Sequence, residues 1–271
     1  MLLAAGLAVF LAAFGSYPAN SGAQMRRTAL KVALLAVPLL LGHYAMEAAR
    51  IADDWSGMVD SSLQRLVMNS PSIETLALRL IGLTTIAFAV TGTEVRNRVV
   101  PLTAIGTLLI AGSFVLVGHT VTHALRPALA PLLIAHVTIV AFWLGALLPL
   151  HLACAAQSPA QAGQLVRTFS RAAAWIVPLI AVAGAGLALA LVPDLGTFSE
   201  PYGKLLLAKA AGFCLLMCLA AFNRWRLGPA LLAGEAAAAR LLRRSLVAEC
   251  LLIVAVIAVT SVMTSWFSPE R

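Results

Sequence analysis

Eight runs of mostly apolar residues, each close to the roughly 20 residues a helix needs to cross a bilayer, dominate this chain. They lie at roughly 1–20, 29–49, 72–91, 99–118, 129–152, 172–192, 203–222 and 246–267. Membrane β-strands would alternate polar and apolar residues over about ten positions, and these runs do not alternate. The expected fold is all-α: a polytopic transmembrane bundle of about eight helices, with the lipid bilayer as its solvent. The runs take up most of the 271 residues and leave no room for a soluble domain of ordinary size. A single transmembrane domain over 1–271, with no fused soluble domain, is therefore expected. The first run has no charge through residue 25. It lacks the basic start of a signal peptide, so it is expected to be a first helix whose strongly apolar core ends at Phe14.

A formal net charge of +8 would suit a nucleic-acid partner, but its distribution points elsewhere. Arg26, Arg27, Lys31, Arg96, Arg98, Arg167, Arg171, Arg224, Arg226, Arg240, Arg243 and Arg244 fall in or beside alternate connections, and they make up twelve of the 19 basic residues. Basic connections stay in the cytoplasm. Both termini are thus expected on the periplasmic side of a bacterial inner membrane, and no nucleic acid is implied. Four connections are long: 50–71, 153–171, 193–202 and 223–245. Within them, AAQSPAQAG reads as a flexible turn and GEAAAARLLRRS as a short surface helix.

Imidazoles are costly in lipid unless they face a cavity, a partner or a metal. Three of the five histidines lie within GHTVTHALRPALAPLLIAH. By the charge-based topology, His43, Met46 and Glu47 share one side of the second run near its outer end. The fourth run ends at His119, with His123 one turn above it if the helix continues. His136 sits in the outer third of the fifth run. Imidazole and thioether donors suit copper, and Met58 and Met68 in the nearby loop lean the same way. The expected metal ligands are His43, Met46, His119, His123 and His136, with His151 left at the inner interface. A single membrane histidine is more often a helix–helix hydrogen bond than a ligand, so the grouping carries this reading.

Cys154, Cys214, Cys218 and Cys250 all fall in the expected cytoplasmic half, where thiols stay reduced. They either pack as small residues or receive Cu(I); packing is the weightier reading. Within or beside spans, Lys209 is expected to snorkel, Arg79 to pair with Glu47 or Glu74, and Glu249 to pair with Arg224 or Arg171. No P-loop, HExxH or serine–histidine–aspartate arrangement is present, so no enzyme is expected.

The strings AHVTIVAFWLGALLPL, FSRAAAWIVPLIAVAG, PYGKLLLAKAAGFCLLMCLAAFNRWRLGP and LRRSLVAECLLIVAVIAVTS, with Gly118-His119, resemble the copper resistance D (CopD) family in the right order. The resemblance covers roughly residues 25–267. It implies an eight-helix inner-membrane protein that imports copper, often beside a periplasmic copper carrier of the copper resistance C type. His119 and His136 match the family's candidate ligands, and Lys209 and Trp143 are family-like positions. The histidine common in the family's first helix has no counterpart in MLLAAGLAVFLAAFG. Copper transport is thus the leading expectation. Its rivals are a haem b electron-transfer protein, with histidine pairs on the iron and Arg79 and Lys209 on the propionates, and a copper sensor or assembly partner that does not transport.

Overall fold

The computed structural model describes residues 1–15, 19–92, 96–118, 121, 123–192 and 194–267. Among them the chain forms helices α1 (Leu2–Phe14), α2 (Ala19–Ala52), α3 (Ser61–Met68), α4 (Pro71–Thr91) and α5 (Arg96–Gly112). These are followed by α6 (Arg126–Ala156), α7 (Pro159–Leu191), α8 (Pro201–Phe222), α9 (Gly228–Leu232) and α10 (Ala236–Trp266). A tight 3-10 turn, Ser113–Leu116, extends α5, and a π turn, Asn223–Leu227, joins α8 to α9. Seven of the described helical stretches are long and apolar enough to cross a membrane. Large apolar side chains such as Leu39, Phe88 and Leu251 point outward rather than into a core. A water-soluble protein would have to hide a surface of that kind; in a bilayer it faces lipid. The chain is a multi-pass helical membrane protein.

The first apolar run gives a shorter helix than the other seven. At 13 residues, α1 is about 20 Å long, against a hydrocarbon layer of about 30 Å. The inner connections also differ from expectation. AAQSPAQAG is not a flexible turn: only Gln157 and Ser158 separate α6 from α7. Ser158 Oγ caps α7 by accepting the Gln161 N–H at 3.4 Å, and Pro159 occupies the first turn. A serine cap followed by proline is a strong helix start. GEAAAARLLRRS is likewise no separate helix, since its residues from Ala236 onward form the first turns of α10 and run straight into the span.

The chain divides into two compact units, Met1–Gly145 and Ala146–Arg271. In the first, α4 and α5 cross at Gly82 and Gly106. A Cβ on Gly82 would lie 2.8 Å from the Gly106 carbonyl oxygen, and a Cβ on Gly106 would lie 2.8 Å from that of Gly82. Helices in lipid associate through close packing rather than water release, so paired glycines let the two backbones touch. α1 seats Leu7 and Phe10 inward and lays Gly6 against the backbone of Ala141 and Gly145 on α6. The Phe14 and Phe142 rings close that contact at 6.3 Å between centroids. In the second unit α8 packs on α10, with Gly212 against the Val256 side chain, and α7 approaches the α9 backbone at Gly163.

Candidate metal centre

The expected metal ligands that are described all lie in the first unit, toward the helix ends that carry few basic residues. α2 presents His43 and Met46 in its last turns, both exposed, with Glu47 half-buried beside them. Before α6 begins, the chain leaves its helical path. Gly118 takes φ +88°, a left-handed conformation that glycine adopts without strain. The helical path that α5 and its 3-10 turn follow therefore ends before Gly118; how His123 stands relative to residue 119 falls outside the described residues. His123 Nδ1 accepts the Leu125 N–H at 3.1 Å, just ahead of α6. That bond uses the lone pair of Nδ1 and leaves Nε2 as the N–H donor of the neutral ring, so ligation of a metal by His123 requires the Leu125 bond to break. His136 is half-buried on α6 with its Nδ1 shielded from solvent. Ten residues past Arg126, it sits about 15 Å along that helix. His119 lies outside the described residues. Among the described residues, no three histidine, cysteine, aspartate or glutamate side chains gather closely enough to hold an ion.

Beneath these residues lies a polar cluster that the sequence only half revealed. Arg79 Nε donates to Ser113 Oγ at 3.0 Å, and Ser113 in turn donates to the Ile110 carbonyl at 2.7 Å. The guanidinium lies 5.0 Å from the Phe114 ring centre, a cation–π arrangement. Glu47 is within electrostatic reach of Arg79, as expected, and also of Tyr44. The tight turn after α5 brings Ser113 and Phe114 onto Arg79, and no periodicity argument could have found that. This cluster ties α4 to the turn that follows α5, with Glu47 of α2 nearby.

The loop after α2 folds back on that helix. Gly57 lies against Ala48 and Ala49, where a Cβ would meet the Ala48 carbonyl oxygen at 2.6 Å. The Met58 carbonyl accepts from Gln64 Nε2 at 2.9 Å. Asp60 caps α3 by accepting from the Ser62 hydroxyl at 2.6 Å and the Ser62 and Leu63 N–H groups at 2.7 and 3.3 Å. Those donors, the Ser62 hydroxyl foremost, hold its carboxyl below the ordinary aspartate range. Asp54 is held low in the same way, chiefly by the Ser56 hydroxyl.

All four cysteines and His151 lie in the second unit. Cys154 is buried within electrostatic reach of Arg243, while Cys214 and Cys218 face outward. His151 Nδ1 is buried and makes no hydrogen bond. Arg224 donates from Nη1 to the Ser170 carbonyl. Glu249, only 3% exposed, accepts from Asn223 Nδ2 at 2.5 Å. The π turn delivers Asn223 to this carboxylate, and π turns often mark functional positions.

Comparison with known proteins bears on this second unit. Residues 163–263 match the family model described as copper resistance protein D. That stretch runs from the first turns of α7 to near the end of α10. No curated protein and no solved structure matches the chain.

Proposed function

We propose, on the premise that residues 163–263 form a copper resistance D domain in a multi-pass membrane protein, that this chain carries copper from the periplasm to the cytoplasm across a bacterial inner membrane. Copper is the cargo. The family match is the observation that carries the reading. His43, His119, His123 and His136 supply imidazole to the entering ion, and Met46 adds a soft thioether. Those donor types fit copper by chemistry, since thioether favours Cu(I) and imidazole binds copper generally. His43 and Met46 are exposed where an ion would arrive, and His123 becomes a ligand once its ring gives up the Leu125 bond. The side facing the periplasm follows from the basic residues at the opposite helix ends. A soluble carrier of the copper resistance C type is the proposed donor.

Metal analysis of purified protein and copper uptake into proteoliposomes test this together. The expected result is stoichiometric copper on a colourless protein, with uptake falling at least tenfold in a His119→Ala/His136→Ala variant. Normal uptake by that variant would refute the route. A Soret band with haem in place of copper would overturn the cargo itself.

A further inference from the structure

Between α7 on one side and the π turn with α9 on the other lies an open cavity of about 330 Å³, within the range of small-ligand sites. Its wall includes Arg167, Ser170, Arg171, Arg224, Trp225 and Pro229. Arg167 and Arg171 stand one turn apart on the same side of α7. Arg224 is held in place by its bond to the Ser170 carbonyl, next to Arg171 in the chain. One turn before Arg167, Gly163 lets α7 approach the α9 backbone closely: a Cβ there would meet the Leu232 nitrogen at 2.9 Å. Among the described residues, no carboxylate pairs with any of these three guanidinium groups. Three forked cations around a concave surface, with no anion of their own, match the oxygens of a phosphate.

The level of the cavity in the membrane names the source of that phosphate. The uninterrupted apolar part of α7 begins just after Arg171, and Trp175, one turn further on, is 83% exposed. Trp225 is 70% exposed at the cavity's edge. Exposed tryptophans of this kind settle at the lipid–water boundary. The surrounding arginines put this end of the helices in the cytoplasm, beside the leaflet surface where basic pockets between helices take up anionic headgroups.

We propose that this cavity binds the phosphodiester headgroup of an anionic phospholipid. Arg167, Arg171 and Arg224 hold the phosphate oxygens, while Trp225 packs on the glycerol and upper acyl chains. The site is independent of the copper reading, because it needs none of the histidines.

Native mass spectrometry of the full-length protein in neutral detergent tests it, with phosphatidylglycerol, phosphatidylcholine and inorganic phosphate as separate additions. Phosphatidylglycerol should bind at least tenfold more tightly than phosphatidylcholine. Arg167→Ala/Arg171→Ala should remove at least tenfold of that affinity. Arg240→Ala/Arg244→Ala, which deletes the same charge from exposed positions on α10, should change it less than twofold. An Arg167→Lys/Arg171→Lys pair keeps the charge and the packing but not the forked geometry, and should fall between wild type and the alanine pair even if that pair misfolds. Equal losses from the two alanine pairs would overturn the site in favour of diffuse attraction. Displacement of the lipid by millimolar inorganic phosphate would overturn the lipid as its occupant.

Discussion

The two units divide the soft-metal chemistry of the chain between them. The first holds His43, Met46, His119, His123 and His136, while the second holds Cys154, Cys214, Cys218, Cys250 and the lone His151. The stretch matched to the copper resistance D family, residues 163–263, contains no histidine at all. The match therefore supports copper through one half of the molecule, while the imidazoles proposed to meet the ion stand in the other. The family likeness and the proposed ligands are thus separate supports for the copper reading. The units also treat buried charge differently. Arg79 in the first is held by a hydroxyl, an aromatic ring and a nearby carboxylate, whereas Glu249 in the second is met by the amide of Asn223.

The largest expected effect sets imidazoles against thiols. Replacing His119 and His136 by alanine should cut copper uptake at least tenfold, while replacing all four cysteines should leave it within twofold. Uptake that collapses in the cysteine variant would move the essential chemistry to the second unit. Packing comes next. Gly82→Ala pushes a methyl group toward the Gly106 carbonyl and should destabilise the first unit by about 1–3 kcal/mol, read as a loss of resistance to denaturation in detergent. Gly212→Ala meets only the end of the Val256 side chain and should cost visibly less. The two buried charges give a third contrast. Asn223→Ala removes a donor from buried Glu249 and should cost about 1–3 kcal/mol, while Ser113→Ala, which leaves Arg79 its ring and carboxylate neighbours, should cost about 1 kcal/mol.

The smallest effect is a pH dependence confined to the first unit. The Asp60 carboxyl is held below its unfolded value, so its capping of α3 is complete above the ordinary aspartate range. It is lost as pH falls through the lower folded value. The protection of the Ser62 and Leu63 amides against hydrogen exchange, taken relative to the intrinsic rate at each pH, should fall on acidification, and Asp60→Asn should abolish most of that dependence. An unchanged pH profile in Asp60→Asn would assign the acid response to another group.

The spans were legible because a bilayer sets a minimum apolar length, and run length survives any uncertainty about neighbours. Where helices stop was less legible. PAQAG looked loose, yet Ser158 and Pro159 start a helix there. GEAAAARLLRRS looked separate, yet from Ala236 onward no residue in it breaks the ladder before the span begins. The site was the least legible part. Residues four apart on one helix can be placed from sequence, as His43 and Glu47 were. Whether imidazoles on different elements converge depends on turns such as the one at Gly118, whose positive φ takes the chain off its helical path before His123. The Arg79–Ser113 bond joins residues 34 apart, a distance over which no local pattern speaks.

The π turn carries a last consequence, for the protein's tolerance of insertion and deletion. It sets the register of two neighbours: Asn223 points inward to Glu249 while Arg224, the next residue around the helix, turns to the arginine-lined cavity. Deleting a single residue would take out the wide turn and change which residues of the segment face Glu249 and the cavity. Both liaisons would break at once, so this short segment should bear substitution far better than any change in its length.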